Sequence, residues 1–200
     1  MIRQLLSAIL VASKIAAFST AAFAGCVAPP DLTSTDFTEQ WKDVLTLRAD
    51  KTLNKNIEFV QDIRSHGVGD VNLDYYSVNF KAPPFKDPAK FLSHFRHRLG
   101  ELLFSTNVQQ HLYNLASYDM KDQETWMSEE PLGALMRFTL IQVGGVGFER
   151  GDVVVSCVDD TGFVFSTVNT SKDGDHPVSG NRGFGVFQEA DGSLTVFTKA

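Results

Sequence analysis

The chain has 200 residues, of which 43% are hydrophobic and 21% charged, and its formal net charge is −6. This composition excludes collagen, a chain disordered along its whole length and a polytopic membrane protein, and it fits one domain with a small appendage. A nucleic-acid-binding protein needs a basic face, and the negative net charge argues against this class of protein.

Residues 1–24 have the composition of an export signal. The segment lacks Asp and Glu, carries an early positive charge at Arg3 and continues from Leu5 with apolar and small residues that Lys14 interrupts. Ala22-Phe23-Ala24 then gives the small-x-small pattern of a signal-peptidase site. A membrane anchor is the alternative, but a span needs about 20 apolar residues and neither side of Lys14 supplies them. We therefore predict a cleaved signal peptide and an exported protein, which is periplasmic, tethered to the outer membrane or secreted.

Cys26 has two interpretations, and both stay open at this point. Phe23-Ala24-Gly25-Cys26 resembles a bacterial lipoprotein cleavage box, in which the cysteine is acylated and tethers the protein to a membrane, although Phe23 stands where that box usually has leucine. Alternatively, Cys26 forms a disulfide with Cys157, the other cysteine of the chain, which export makes chemically possible. The prolines that follow Cys26 indicate that residues 25–35 form a linker or tether.

Two helices and one strand are predicted in the next part of the chain. Asp36 begins a capping-box pattern, and apolar residues at helical spacing follow it. A second helical pattern covers residues 53–66 and ends at Gly67, the expected left-handed cap. Residues 71–81 alternate apolar and polar side chains instead, which predicts a strand.

The clearest helix signal covers residues 88–104. Asp87-Pro88 supplies an N-cap and a proline at the first helical position. The apolar side chains of the segment form a single stripe: Phe91, Leu92, Phe95, Leu99, Leu102 and Leu103. A weaker helix is expected around 107–116, and a polar loop with Trp126 as its anchor over 117–131.

Five short strands separated by Gly or Asp turns are predicted after residue 133. They are Ala134–Val143, Val153–Val158, Phe163–Thr170, Gly183–Gln188 and Ser193–Thr198. Asp191-Gly192 is a two-residue hairpin signal between the last two. The predicted fold class is therefore α+β, with N-terminal helices, one strand, a long amphipathic helix and an antiparallel sheet of about five strands, in one domain over 36–200.

Several patterns receive a structural interpretation. His94, His97 and Glu101 have the spacing of a metal pair with a carboxylate, but they lie opposite the apolar stripe and are interpreted as a solvated helix face. Gly144-Gly145-Val146-Gly147 precedes a strand, whereas a phosphate cradle opens a helix, so it is interpreted as a loop. Alternation places Cys157 on one face of a strand with Val153 and Val155, and Cys157 is interpreted as a buried inert thiol or half of a disulfide. We predict no metal site and no cofactor.

The segment 173–182 contains the densest group of side chains that could take part in catalysis or ligand binding. His176 is a candidate general acid or base, a neighbouring carboxylate a candidate orienting group, and Arg182 a candidate clamp for a carboxylate or phosphate. The same residue types are the common turn formers, so a purely structural turn is the competing interpretation. The candidate catalytic residues are His176, Asp173 and Asp175, and the candidate ligand-binding residues are Arg182, Asn181 and Ser179.

Part of the C-terminal half resembles START-like (helix-grip) domains. The residues that carry this resemblance are Gly151-Asp152-Val153, Phe163-x-Phe165-x-Thr167, His176-Pro177-x-x-Gly180, Phe184 and Asp191-Gly192. The resemblance implies a curved antiparallel sheet around a long helix and a pocket for lipids or other apolar molecules, although here the helix precedes the strands. The run His-Pro-Val-Ser-Gly-Asn-Arg-x-Phe-Gly is also similar to a segment of uncharacterised bacterial exported proteins, which implies no activity.

Two functions follow as expectations. The first is an exported binding or interaction module for a small apolar or amphipathic ligand or for a partner protein, with His176 and Arg182 at the rim of a cleft between helix and sheet. The alternative is an exported enzyme or effector that uses the 173–182 segment for acid/base chemistry on an anionic substrate. Neither interpretation involves nucleic acid, and a membrane tether through Cys26 is compatible with both.

Overall fold

The computed structural model of the chain describes residues 25–105, 111–142 and 148–200. The predicted signal peptide over 1–24 and the glycine-rich loop at 144–147 therefore lie outside the described residues.

The helices of the described chain are short. Asp87 caps the longest of them as the sequence predicts, because its side chain accepts a hydrogen bond from the Lys90 N–H and Pro88 occupies the first helical position. The helices are α1 Phe37–Gln40, α2 Lys42–Thr46, α3 Ile63–His66, α4 Pro88–His97, α5 Leu99–Ser105 and α6 Met120–Met127, with a 3₁₀ turn at Lys51–Leu53.

An antiparallel sheet dominates the structure. Its strands are β1 Ile57–Val60, β2 Tyr75–Phe80, β3 His111–Ser117, β4 Leu135–Gln142, β5 Phe148–Val158, β6 Gly162–Thr170, β7 Asn181–Gln188 and β8 Leu194–Lys199. The spatial order is β2-β8-β7-β6-β5-β4-β3, so β3 to β8 follow one another as a meander and β2 is added at the far edge. Strand β1 pairs with residues 168–170 of β6, beyond the part of β6 that pairs with β7.

The predicted architecture of a long amphipathic helix and a five-stranded sheet is wrong. The sheet is curled, has eight strands among the described residues, and includes segments from the N-terminal half. The apolar stripe over 88–104 is divided into α4 and α5 at Arg98, whose N–H bonds to the Phe95 carbonyl in a tight turn. A stripe of apolar residues indicates which side of a helical segment is buried, but it does not determine whether that segment is one long helix or two short ones.

Three local predictions also differ from the structure. The helical pattern over 53–66 contains β1, because pairing with β6 overrides a short ambiguous apolar run, and Gly67 has φ −65° and is not a left-handed cap. The weak helix around 107–116 is the strand β3 from His111 onward, and residues 106–110 lie outside the described part. The polar loop contains α6, although Trp126 is buried and anchors the segment as expected.

One face of the sheet is covered by α4, α5 and α6, and we call it the helix face. Aromatic rings fill the space between the two layers. Phe163 and Phe184 stack with centroids 5.0 Å apart, and Trp126 stacks on Phe165 at 5.5 Å. Phe91, Leu92 and Leu99 of the helices pack into the same cluster with Val153, Val155 and Val186 of the sheet.

The N-terminal segment 26–48 covers part of the opposite face. Val27 is fully buried there, in a slot that two glycines of the sheet leave open. A Cβ atom at Gly162 would lie 2.6 Å from Val27 Cγ1, and one at Gly183 would lie 2.5 Å from Val27 Cγ2. The absence of side chains at these two positions therefore creates the room that Val27 occupies.

A disulfide between Cys26 and Cys157 ties this segment to β5, with the two Cα atoms 5.7 Å apart. The backbone N–H of Cys26 also donates to the Asp159 carboxylate. Of the two interpretations of Cys26, the structure contains the disulfide, and a sulfur joined to Cys157 is not free for acylation. None of the helices in the described ranges has the length and apolar character needed to cross a membrane.

Candidate functional site

His176 is held by its own loop and by Gln61, the residue that follows β1. Its backbone N–H donates to Gln61 Oε1 at 2.6 Å, and its Nδ1 lies 2.9 Å from the Val178 carbonyl oxygen. The ring lies against Gly151, where a Cβ atom would overlap it. Burial lowers the pKa of His176, so the imidazole is neutral near pH 7.

Asp173 belongs to a buried charge cluster on the other side of the sheet. The carboxylates of Asp173 and Asp152 both pair with Arg137. The Nε atom of Arg137 lies 3.5 Å from Oδ1 of Asp152. The Asp152 and Asp173 side chains are 0% and 5% exposed. Thr170 Oγ1 donates to Asp152 at 2.5 Å, but burial and the neighbouring Asp173 raise the pKa of Asp152 to about 6.

The remaining loop candidates have separate partners. Arg182 Nη2 pairs with Asp74 at 2.7 Å, and Asn181 Nδ2 donates to the Val44 carbonyl at 2.6 Å, which fixes the N-terminal segment to β7. Asp175 is exposed and accepts a hydrogen bond from Asn169. Ser179 lines a small cleft beside Asn181.

The predicted catalytic residues therefore do not converge. His176 lies against Gly151 on one face of β5, and Asp173 joins Asp152 on the other, because neighbouring residues of a strand point to opposite faces. Arg182 binds Asp74, far along the chain from the loop. The arrangement ties the loop to the sheet, and His176, Asp173 and Arg182 each contact different residues.

An apolar pocket is expected between the helices and the sheet, and side chains of the described residues lie in that space. The aromatic cluster fills the space between the helices and the sheet, and the cleft beside Ser179 has a volume of only about 60 Å³. Pockets for small molecules are typically about 300–1,000 Å³. A second depression, lined by Glu124, Thr125, Ser128, Glu129 and Glu130, is open to solvent and acidic.

The candidate metal ligands are also separated. His94 is exposed and its ring contacts Phe85 at 5.2 Å, His97 lies 3.0 Å from Arg96, and Glu101 pairs with Arg98. Within the described ranges, no three side chains of the metal-ligating types come together.

The feature that sequence analysis missed is the exposed apolar edge strand β2. Tyr76, Val78 and Phe80 alternate along it and are 64%, 60% and 38% exposed. They share the helix face, since Phe80 contacts Phe91 of α4 with centroids 5.3 Å apart. The preceding Val71 and Leu73 are exposed as well. The alternation over 71–81 predicts the strand, but only the order of the described strands shows that none of them pairs with its outer side.

The outer backbone groups of β2 can be identified from its pairing with β8. Asp74 and Ala200 exchange two backbone hydrogen bonds of 3.1 Å, so they form a hydrogen-bonded pair at the end of the ladder. Such pairs recur every second residue in an antiparallel ladder, which directs Tyr76, Val78 and Phe80 toward β8. The N–H and C=O groups of Tyr75, Ser77 and Asn79 consequently point outward.

Edge strands usually carry a device that prevents pairing with another chain, such as an inward charge, a proline or a bulge. Tyr75–Phe80 contains no charged residue and no proline, and its register with β8 runs without a shift. Charges stand only at its ends, where Asp74 pairs with Arg182 and Lys81 with Asp191.

Comparison with known proteins shows little similarity. No protein-family model matches the chain, and no curated protein matches it. The chain is similar over 64% of its length to the crystal structure of protein Ms6760 from Mycobacterium smegmatis, covering 71% of that chain with 10% sequence identity and a TM-score of 0.39.

Proposed function

We propose that the chain is an exported interaction module that binds another polypeptide by strand addition at β2. The observation that carries the proposal is the combination of outward backbone groups at Tyr75, Ser77 and Asn79 with an uncharged strand and an exposed apolar face. In strand addition, main-chain hydrogen bonds supply affinity and alternate side chains supply specificity.

Export is supported by two features. Residues 1–24 have the composition of a signal peptide. The Cys26–Cys157 disulfide is compatible with an oxidising compartment, where such bonds persist. The proposed module therefore acts outside the reducing cytosol.

A designed peptide tests the proposal without assuming a natural partner. The probe is an extended peptide of alternating threonine and valine with a lysine at each end, since the chain is acidic. We expect it to slow amide hydrogen exchange of Tyr75, Ser77 and Asn79, while Tyr76 and Val78, already bonded to β8, change little.

The matched control is the same peptide N-methylated on the residues that would face β2, because methylation removes the donors and leaves the side chains. Protection by both peptides, or protection confined to other strands, would contradict strand addition at β2.

A further inference from the structure

We infer that the occupant of β2 is a second copy of this chain, paired antiparallel with the two Ser77 residues opposite each other. The inference rests on the proposed function, because it needs β2 to accept a strand. It adds the identity of the partner and the register of the pairing.

Backbone geometry restricts the possible registers. A two-fold axis perpendicular to the sheet keeps the helix faces of both copies on the same side. One residue of β2 then faces the same residue of the second copy across the axis, and the other pairs are arranged symmetrically about it. The axis can pass through a hydrogen-bonded pair or a non-hydrogen-bonded pair. Tyr75, Ser77 and Asn79 direct their N–H and C=O groups outward. Only an axis at Ser77 pairs all three with one another, whereas an axis at Tyr76 or Val78 pairs only two of them with each other.

The side chains in this register are self-complementary. Ser77 faces Ser77 of the second copy, so the axis carries two small exposed hydroxyl groups. Tyr75 faces Asn79, and on the helix face Tyr76 faces Val78. Aromatic and β-branched cross-strand pairs are among those that stabilise sheets, and here they cover the two most exposed large hydrophobic side chains of β2.

The charges at the ends of β2 favour the antiparallel arrangement. Asp74 precedes the strand and Lys81 follows it, so antiparallel pairing brings Asp74 of one copy close to Lys81 of the other. Asp74 is already paired with Arg182 of its own chain, and Lys81 with Asp191 of its own chain. At each end of the junction positive and negative side chains would therefore alternate. Parallel pairing would bring like charges together at both ends, which is unfavourable.

Analytical ultracentrifugation of the oxidised protein over a wide range of concentration is the first test. We expect a reversible dimer. Ser77→Lys places two like charges face to face and should raise the dimer dissociation constant about fivefold or more. The matched variant Ser77→Thr keeps a small hydroxyl side chain and should preserve the dimer.

Cysteine crosslinking tests the register. The two native cysteines are joined to each other, so Ser77→Cys supplies the one free thiol. We expect Ser77→Cys to give a covalent dimer on a non-reducing gel. Asn79→Cys should not, because its counterpart is displaced by about four residues, or roughly 13 Å, beyond the reach of a disulfide.

The outcomes separate the two proposals. A protein that is monomeric throughout but still shows peptide protection of Ser77 would overturn the second-copy inference and leave strand addition standing. A dimer that is insensitive to Ser77→Lys, or one that Asn79→Cys links as readily as Ser77→Cys, would overturn the inference as well. Absence of both peptide protection and dimer would overturn the proposed function itself.

Discussion

Gln61 and His176 are joined by two hydrogen bonds, although they are 115 residues apart in the chain. The His176 N–H donates to Gln61 Oε1 at 2.6 Å, and Gln61 Nε2 donates to the His176 carbonyl at 3.3 Å. Gln61 is buried, so one amide side chain holds the 171–180 loop against the end of β1.

Replacing Gln61 by alanine should therefore destabilise this loop. It leaves two backbone groups of His176 without their partner, which typically costs about 1–3 kcal/mol of unfolding free energy. Urea unfolding measures the loss, and amide exchange at His176 locates it. Gln61→Glu is the control, since it keeps the acceptor and should retain the bond to the His176 N–H. Equal exchange at His176 in all three proteins would contradict this role.

The buried carboxyl of Asp152 should make stability depend on pH. Its pKa in the folded protein, about 6, lies above its ordinary value, so the folded state binds the proton more tightly than the unfolded state does. The contribution of this group to the unfolding free energy is therefore largest below about pH 4 and is lost as pH rises through 6.

Asp152→Asn removes this titrating group, so unfolding free energy should no longer fall with pH on its account. The difference in unfolding free energy between pH 4.5 and pH 7.5 should therefore change by on the order of 1–3 kcal/mol relative to wild type. Urea unfolding at the two pH values measures it. His176, whose pKa burial lowers, acts in the opposite direction, and subtracting variant from wild type cancels its contribution. Asp175→Asn, at an exposed position, is the control, and an identical effect from both variants would refute the assignment.

The slot for Val27 predicts a coupled pair of substitutions. Gly183→Ala alone places a methyl group against the Val27 side chain and should destabilise by about 1–3 kcal/mol. Val27→Ala in the same chain removes the overlapping methyls, so the double variant should recover part of the loss. A double-mutant cycle by thermal unfolding gives the coupling, and strict additivity would show that Val27 does not occupy the slot.

Removing the disulfide should destabilise the protein by about 2–5 kcal/mol. The double variant Cys26→Ala, Cys157→Ala avoids unpaired thiols, and urea unfolding compares it with wild type. The loss should concentrate in the N-terminal segment, so limited proteolysis should cut within residues 25–50 first. Wild type treated with a reductant serves as the second arm, and unchanged stability in both arms would contradict a tethering role.

The C-terminal strands could be predicted because their signals are local. Asp191-Gly192 adopts the turn between β7 and β8 with Gly192 at φ 82°, and alternation marks the strands on each side of it. Strand β1 could not be predicted in the same way, because Ile57 pairs with Thr170, more than a hundred residues later in the chain. The residues around Ile57 contain no local signal of that pairing.

The candidate site was predicted less well for a related reason. Composition shows that the 173–182 segment holds reactive side-chain types, but their directions depend on which strands lie beside them. Asp173 finds Arg137 of β4, and Arg182 finds Asp74 ahead of β2. The open side of β2 is likewise a property of strand order, which a single sequence does not state.

The Cys26–Cys157 bond also constrains how the polypeptide matures. Cys26 leaves the ribosome and any export channel well before Cys157, which reaches its place only once β5 has paired with its neighbours. Until then the first thiol is exposed and can react with another nascent chain. We therefore expect the native disulfide to form late in biogenesis, and conditions that oxidise thiols early should favour covalent aggregates over the native protein.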